Sequence, residues 1–195
     1  MTVMRTVMGT VGLVAGATLA GSCFFACASF QRVVPGLTLS DPNIVSVLDR
    51  LDENEIAAAR LALAKASSPE VQAFAGRILN EHRESADASA QLATELLLQP
   101  KPPALASDLK ESHDEAMREL STKSGAAFDR AYLRYEIQQH IRAFTLLEAA
   151  AESETNATLK QELVRTGPDL LSHISAARAL ERHLGLEPQS AIALR

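Results

Sequence analysis

The chain has 195 residues with 24 acidic and 19 basic side chains, a formal net charge of −5, and 47% hydrophobic but only 4% aromatic content. That length suits one ordinary domain with extensions, and an acidic chain without a Lys/Arg cluster excludes nucleic acid as a partner. Much of the apolar content is alanine, tryptophan is absent, and no Val/Ile/Thr-rich run follows residue 40, which favours closely packed helices over sheets.

Residues 1–28 read as an export signal. Arg5 is the sole charge before an uncharged stretch from Thr6 to Gln31, and Ala26-Cys27-Ala28 offers an A-x-A cleavage site before Ser29. Leu19-Ala20-Gly21-Ser22-Cys23 resembles a lipobox with one residue too many, which makes Cys23 a candidate lipidation site; Phe24-Phe25-Ala26-Cys27 matches less well. An uncleaved anchor also fits, because an apolar run of this length can span a bilayer. Each route leads out of the cytoplasm, to the periplasm or cell envelope, with membrane contact only through this segment. Both cysteines lie within it, so cleavage after Ala28 leaves a domain with no disulfide, 18 basic and 24 acidic residues, and a net charge of −6.

A linker over 29–40 contains Pro35 and Gly36. A first long helix is expected from the cap-and-proline pair Asp41-Pro42 to about Ala66. Ser67-Ser68-Pro69-Glu70 closes it and opens a second, either as a capping box from Ser67 to Glu70 or with Ser68 as the cap before Pro69. The prolines of Gln99-Pro100-Lys101-Pro102-Pro103 end the second helix at Leu98. A shorter amphipathic helix follows over 107–123, with Leu109, His113, Met117 and Leu120 on one face, and Gly125 breaks it. The third long helix covers 126–152 and the fourth 156–184. Pro168 cannot donate to Val164, so Gly167-Pro168 predicts a kink or bulge in the fourth. The bundle is expected to span 41–185, with a mobile tail over 186–195.

Connection lengths dictate the topology. Turns of a few residues at 67–69 and 153–156 force two antiparallel hairpins, and the long segment between them supplies a crossover. The expected architecture is an all-α, ferritin-like four-helix bundle with a short extra helix in its crossover.

Each long helix carries an apolar stripe with one ionisable exception. Glu55 interrupts Ile44, Leu48, Leu51, Ala58 and Ala62; His82 follows Phe74 and Ile78; His140 sits between Ile137 and Phe144; His173 sits between Leu170 and Ala177. Counted from the turns at ~1.5 Å per residue, Glu55 and His82 are level, and His140 and His173 are offset by roughly 5 Å, which a bulge at Gly167-Pro168 would partly absorb. Glu81, Glu136 and Asp169 flank this level, with Tyr132 and Tyr135 a turn or two away. Two arrangements fit these four residues. A carboxylate accepting from buried imidazoles makes a hydrogen-bonded network that fixes helix register, and this is the preferred reading. Alternatively, Glu55, His82, His140 and His173 ligate zinc, iron or manganese inside the bundle. A di-iron oxidase is the weakest alternative, since no histidine has Glu three residues before it. His113 and His183 lie off the seam and read as surface residues.

No Gly-rich phosphate loop, HExxH, CxxC pair or Gly-x-Ser-x-Gly elbow is present. The reading therefore leans away from an enzyme, with no catalytic residue assigned and no cofactor required beyond the zinc or iron of the alternative.

Several spaced motifs resemble one bacterial family. They are Glu55-Ile56, Leu63-Ala64-Lys65-Ala66-Ser67-Ser68-Pro69-Glu70-Val71-Gln72-Ala73-Phe74-Ala75, Asn80-Glu81-His82, Phe128-Asp129-Arg130-Ala131-Tyr132-Leu133, Gln139-His140 and Pro168-Asp169-Leu170-Leu171-Ser172-His173. Over about residues 42–184 the chain is similar to the exported ferritin-like family called domain of unknown function 4142, described as outer-membrane or secreted proteins. The resemblance implies a ferritin-like bundle and an envelope location, and no reaction. The family pattern has Asp before the helix 2 histidine where this chain has Glu81, which keeps the charge. Nothing alternates at period two, so a membrane β-barrel is not expected. The functional expectation is a non-enzymatic envelope protein that binds an unidentified protein partner or buffers stress, with a metal-binding bundle as its competitor.

Mass spectrometry of the native N-terminus tests the leader. The expected start is Ser29, or a diacylated Cys23 on the lipoprotein route, and an intact Met1 in a soluble cytoplasmic protein would refute export.

Overall fold

The structure is a computed structural model that describes residues 38–186. The expected leader over 1–28, Cys23 included, and the tail beyond Leu186 lie outside the described residues. Five helices and no strand occupy the described chain: α1 Asp41–Lys65, α2 Pro69–Glu95, α3 Ala104–Ser121, α4 Gly125–Ser153 and α5 Ala157–His183. No helix among the described residues is long and apolar enough to cross a membrane.

Caps fix the starts. Ser40 caps α1, one residue before the expected Asp41, with Asn43 Oδ1 accepting from its backbone N–H and hydroxyl at 3.2 and 2.8 Å. Ser68 caps α2 by accepting from the N–H groups of Glu70 and Val71, which resolves the 67–70 ambiguity in favour of Ser68 with Pro69 at the first helical position. Asn156 does the same for α5 through Thr158 and Leu159. The second helix stops at Glu95, short of the expected Leu98. There the chain turns through Leu97 at φ 54°, and Leu98 N–H donates to Ala93 O at 2.8 Å in a Schellman closure.

α1 packs on α2, and α4 on α5, as antiparallel hairpins; α1 also meets α4 and α2 meets α5. The crossover helix α3 lies outside this square against α1 and α4, returning the chain from one end of the bundle to the other. This is the ferritin-like connection. One apolar cluster fills the end near the α1–α2 turn, including Val71, Phe74, Phe128 and Tyr132. A second fills the opposite end, including Ile44, Leu48, Leu147, Leu159 and Leu163. Val47, Leu105, Leu109 and Leu146 seat α3.

Two features correct the sequence reading. α5 passes through Gly167 and Pro168 as continuous α-helix, with no break and no bulge there. Pro168 and Val164 face solvent, so the carbonyl that Pro168 fails to serve is on the wet side of the helix, where water satisfies it. Gly167 faces inward, and a Cβ there would come within 3.4 Å of the Phe144 ring, so its absence lets α4 approach. His113 is the second correction. It is buried, not a surface residue, because α3 turns the face carrying Leu105, Leu109 and Leu120 into the core. Leu186, placed in the tail by the sequence, is also buried, and its carbonyl accepts from Arg130 Nε at 2.9 Å.

Each end of the bundle is clipped across hairpins. At one end the buried Asp129 of α4 accepts from Ser67 N–H at 2.9 Å, Ser67 Oγ at 2.6 Å and Ser68 N–H at 3.0 Å. At the other, Asn156 Nδ2 donates to Asp41 Oδ2 at 3.1 Å. Asp129→Ala strands two backbone donors and a hydroxyl at a part-buried turn, so it should cost about 2 kcal/mol in urea unfolding. An unchanged midpoint would show that the α1–α2 turn does not depend on α4.

Candidate metal centre

Between the two apolar clusters lies a layer of ionisable side chains. α1 contributes Asp52 and Glu55, α2 His82 with Glu81 beside it, α4 Glu136 and His140, and α5 His173. Apart from Glu81, whose side chain is 44% exposed, all are buried: Glu136 and His140 at 1% exposure, His173 at 3%, Glu55 and His82 at 6%. The 5 Å offset expected between His140 and His173 closes without a bulge. Side chains lean toward the N-terminus of their own helix, and α4 and α5 are antiparallel, so these two rings lean toward each other.

The hydrogen bonds assign the tautomers. His82 Nδ1 donates to Asp52 Oδ1 at 2.8 Å. His140 Nδ1 donates to the Glu136 carbonyl at 2.8 Å. His173 Nε2 donates to the Glu81 carboxylate. Each ring thus directs one N–H outward, and its second nitrogen faces the other two rings. Those three nitrogens point at one another. His82 Nε2 is 3.3 Å from His140 Nε2, and His173 Nδ1 is 2.9 Å from the same atom. Protons on the inward nitrogens would relieve the repulsion, but burial holds His140 well below the usual imidazole pKa, and the neighbouring His82 and His173 charges push it the same way. Burial also lowers His173, against the pull of Glu81. The three rings form a group with ligand atoms within 4.8 Å of one another.

Glu55 stands apart from this group. Its ligand atoms cluster instead with those of Glu136 and His140, within 4.8 Å of one another. The expected set of Glu55, His82, His140 and His173 is thus divided: the histidines meet, and the carboxylate faces a second carboxylate. Burial, then repulsion from Glu136, raises Glu55 well above the ordinary carboxyl range, and burial pushes Glu136 up to about 7. Both Glu136 oxygens, Glu55 Oε2, Asp52 Oδ2 and the Tyr132 hydroxyl are buried with no well-formed hydrogen bond. Tyr135 turns away to His113, with its hydroxyl 2.8 Å from Nδ1. Asp169 and His183 are exposed and take no part. A cavity of about 30 Å³ opens beside the layer, bordered by Asp52, Glu55, His82 and His140 on one side and by Leu48, Ala143, Leu147 and Leu170 on the other.

Sequence reasoning passed over Asp52 and treated Glu136 only as a neighbour. Asp52 follows Leu48 by four residues and precedes Glu55 by three, so it shares their face, although the stripe through Leu48, Leu51 and Glu55 leaves it out. His113 shares a face with Leu109 and Leu120, and that face of α3 lines the core.

Fold and site together define an all-α, ferritin-like bundle whose interior carries histidine and carboxylate groups able to hold a metal ion. The chain belongs to the family described as Domain of unknown function (DUF4142), which matches residues 29–180. No curated protein matches the chain. Among solved structures it is similar to the DUF305 protein of Streptomyces coelicolor, assigned as secreted, with a TM-score of 0.63 and 13% identity over 73% of this chain and 92% of that one. It is also similar to CopM in a silver-bound form obtained by soaking, with a TM-score of 0.60 and 16% identity over 75% of this chain and 98% of the other. At such identities the likeness is one of fold.

The buried groups oppose one another in acid. Imidazoles in the unfolded chain take protons below about 6.5 while buried His140 does not, so its contribution to stability is lost as pH falls through that value. Glu136 works in the other direction: the stability it contributes is full below the unfolded carboxyl pKa of about 4.3 and is lost as pH rises through about 7. Glu136→Gln removes the second effect and leaves the first. In chelator, the variant should therefore lose more stability than wild type between about pH 7 and pH 5. Equal losses in urea unfolding would show that Glu136 is not held protonated by the fold.

Proposed function

We propose that this protein is an exported cell-envelope bundle that binds one divalent transition ion, zinc or iron(II), through His82, His140 and His173. The observation that carries the reading is the convergence of three imidazole lone pairs whose outer N–H groups are all committed elsewhere. A purely hydrogen-bonded network needs a proton between each pair of facing nitrogens. The outward N–H groups leave none, and burial opposes adding one to His140 or His173. A cation supplies the missing positive charge.

The spacing supports the same reading. Nitrogens about 2.0–2.1 Å from a tetrahedral ion stand about 3.3 Å apart, against 3.3 and 2.9 Å here. Each ring is oriented from behind by an oxygen, as metal-bound histidines are. Two of those oxygens belong to the carboxylates Asp52 and Glu81, whose combined formal charge matches a divalent ion. Neutral imidazole suits zinc, copper, iron and nickel, and the similarly folded CopM is described in a silver-bound form. The family match beginning at residue 29 and the secreted assignment of the DUF305 neighbour favour an envelope location. With no nucleophile or second substrate site assigned, sequestering or buffering the ion is the role that fits best.

Elemental analysis of untagged protein and thermal melts test this. One ion per chain is expected, and zinc at a hundred times its Kd should add about 2.7 kcal/mol. His140→Ala should abolish the stabilisation by zinc, while in chelator its difference from wild type stays smaller than the effect of zinc. If His140→Ala loses the same stability with and without metal, and wild type binds none, the layer is a structural network.

A further inference from the structure

We propose that the ion held by the three histidines keeps its fourth coordination position open to the interior cavity, where it takes a small exchangeable ligand, water in the resting state. The inference rests on the metal reading above and concerns what the site does beyond holding the ion. Structural ions of this kind are closed by four protein donors, whereas a site with three leaves one position for solvent or substrate. Here the protein supplies three nitrogens. The nearest other donors, Glu55 and Glu136, group with His140 and not with the triad.

The cavity is where the fourth ligand fits. His82 and His140 both border it, so an ion bound to their Nε2 atoms looks into it. Its volume of about 30 Å³ corresponds to two or three water-sized positions at roughly 10–15 Å³ each. A ligand of up to about three heavy atoms enters, and a larger one does not. Asp52 and Glu55 border the same space; Asp52 Oδ2 is buried with no hydrogen-bond partner, and Glu55 faces Glu136 from the cavity wall. Both are acceptors for the hydrogens of a coordinated water or another small protic ligand. The remaining wall is mostly apolar, including Leu48, Ala143 and Leu170, with Ser85, Gln139 and Thr166 as its other polar residues. Glu81, partly exposed behind His173, marks the side on which the layer reaches solvent.

Cobalt(II) in place of the native ion gives the test, with azide as a probe of about three atoms. Wild type should bind one cobalt and show visible bands that change saturably as azide is added, with the cobalt retained after desalting. Ala143→Leu, which fills the cavity away from the ligands, should keep the cobalt and lose the azide response; Ser85→Leu at the rim serves if the first variant does not fold. Bands that form but ignore azide, cobalt stripped by azide, or filled variants that respond like wild type would each overturn the open position while leaving the three-histidine site standing. Failure of wild type to bind cobalt at all would overturn both.

Discussion

Three imidazoles facing one another through bare nitrogens form the constraint around which the rest of this bundle is arranged. Each ring is pinned from behind, His82 by Asp52 on α1, His140 by its own helix backbone, and His173 by Glu81 on α2. The pins therefore cross from α1 to α2 and from α2 to α5, and His140 joins α4 to both. Sliding any long helix by one turn would move its ring about 5.4 Å and leave buried donors and acceptors unpaired. Apolar contacts between alanine-rich faces discriminate poorly among such registers, because neighbouring turns offer similar surfaces. The polar layer supplies the discrimination. It also divides the interior into two apolar clusters, one at each end, and each end is closed by its own clip, Asp129 on the Ser67-Ser68 turn and Asn156 on Asp41.

The fold was legible because its determinants are local. Ser68-Pro69, Asn156 and the prolines at 100–103 set helix starts and stops with their own side chains and rings, and short turns leave no topology but the hairpin. The three histidines were legible for a related reason, since each replaces an apolar residue on an otherwise apolar stripe. What was not legible depends on direction and on contact between distant segments. The partner of Glu55 is Glu136, eighty-one positions away, and a spacing rule cannot say whether a carboxylate turns toward one neighbour or another. Pro168 misled because the rule against interior proline concerns a lost hydrogen bond, and that loss is small where the orphaned carbonyl faces water. His113 misled because burial of α3 depends on where the crossover lies, which its own residues do not specify.

Glu55 and Glu136 bear on the imidazoles without ligating beside them. Two buried carboxyls in contact cannot both be ionised at tolerable cost, and burial raises both. Kept largely neutral, the pair adds little negative charge to the layer, so the charge facing the triad comes chiefly from Asp52 and Glu81 behind the rings. The placement matters. A carboxylate among the ligands would bind the ion directly and close its coordination, whereas a carboxylate behind an imidazole strengthens the ring as a donor and fixes its direction while leaving the front of the ion free. Glu136 in turn interacts with Tyr132 and Glu55, which keeps the carboxyl pair together on the side of His140 away from the triad's other rings. Asp52 and Glu55 border the cavity beside the rings, so the layer presents carboxyl groups to whatever occupies that space.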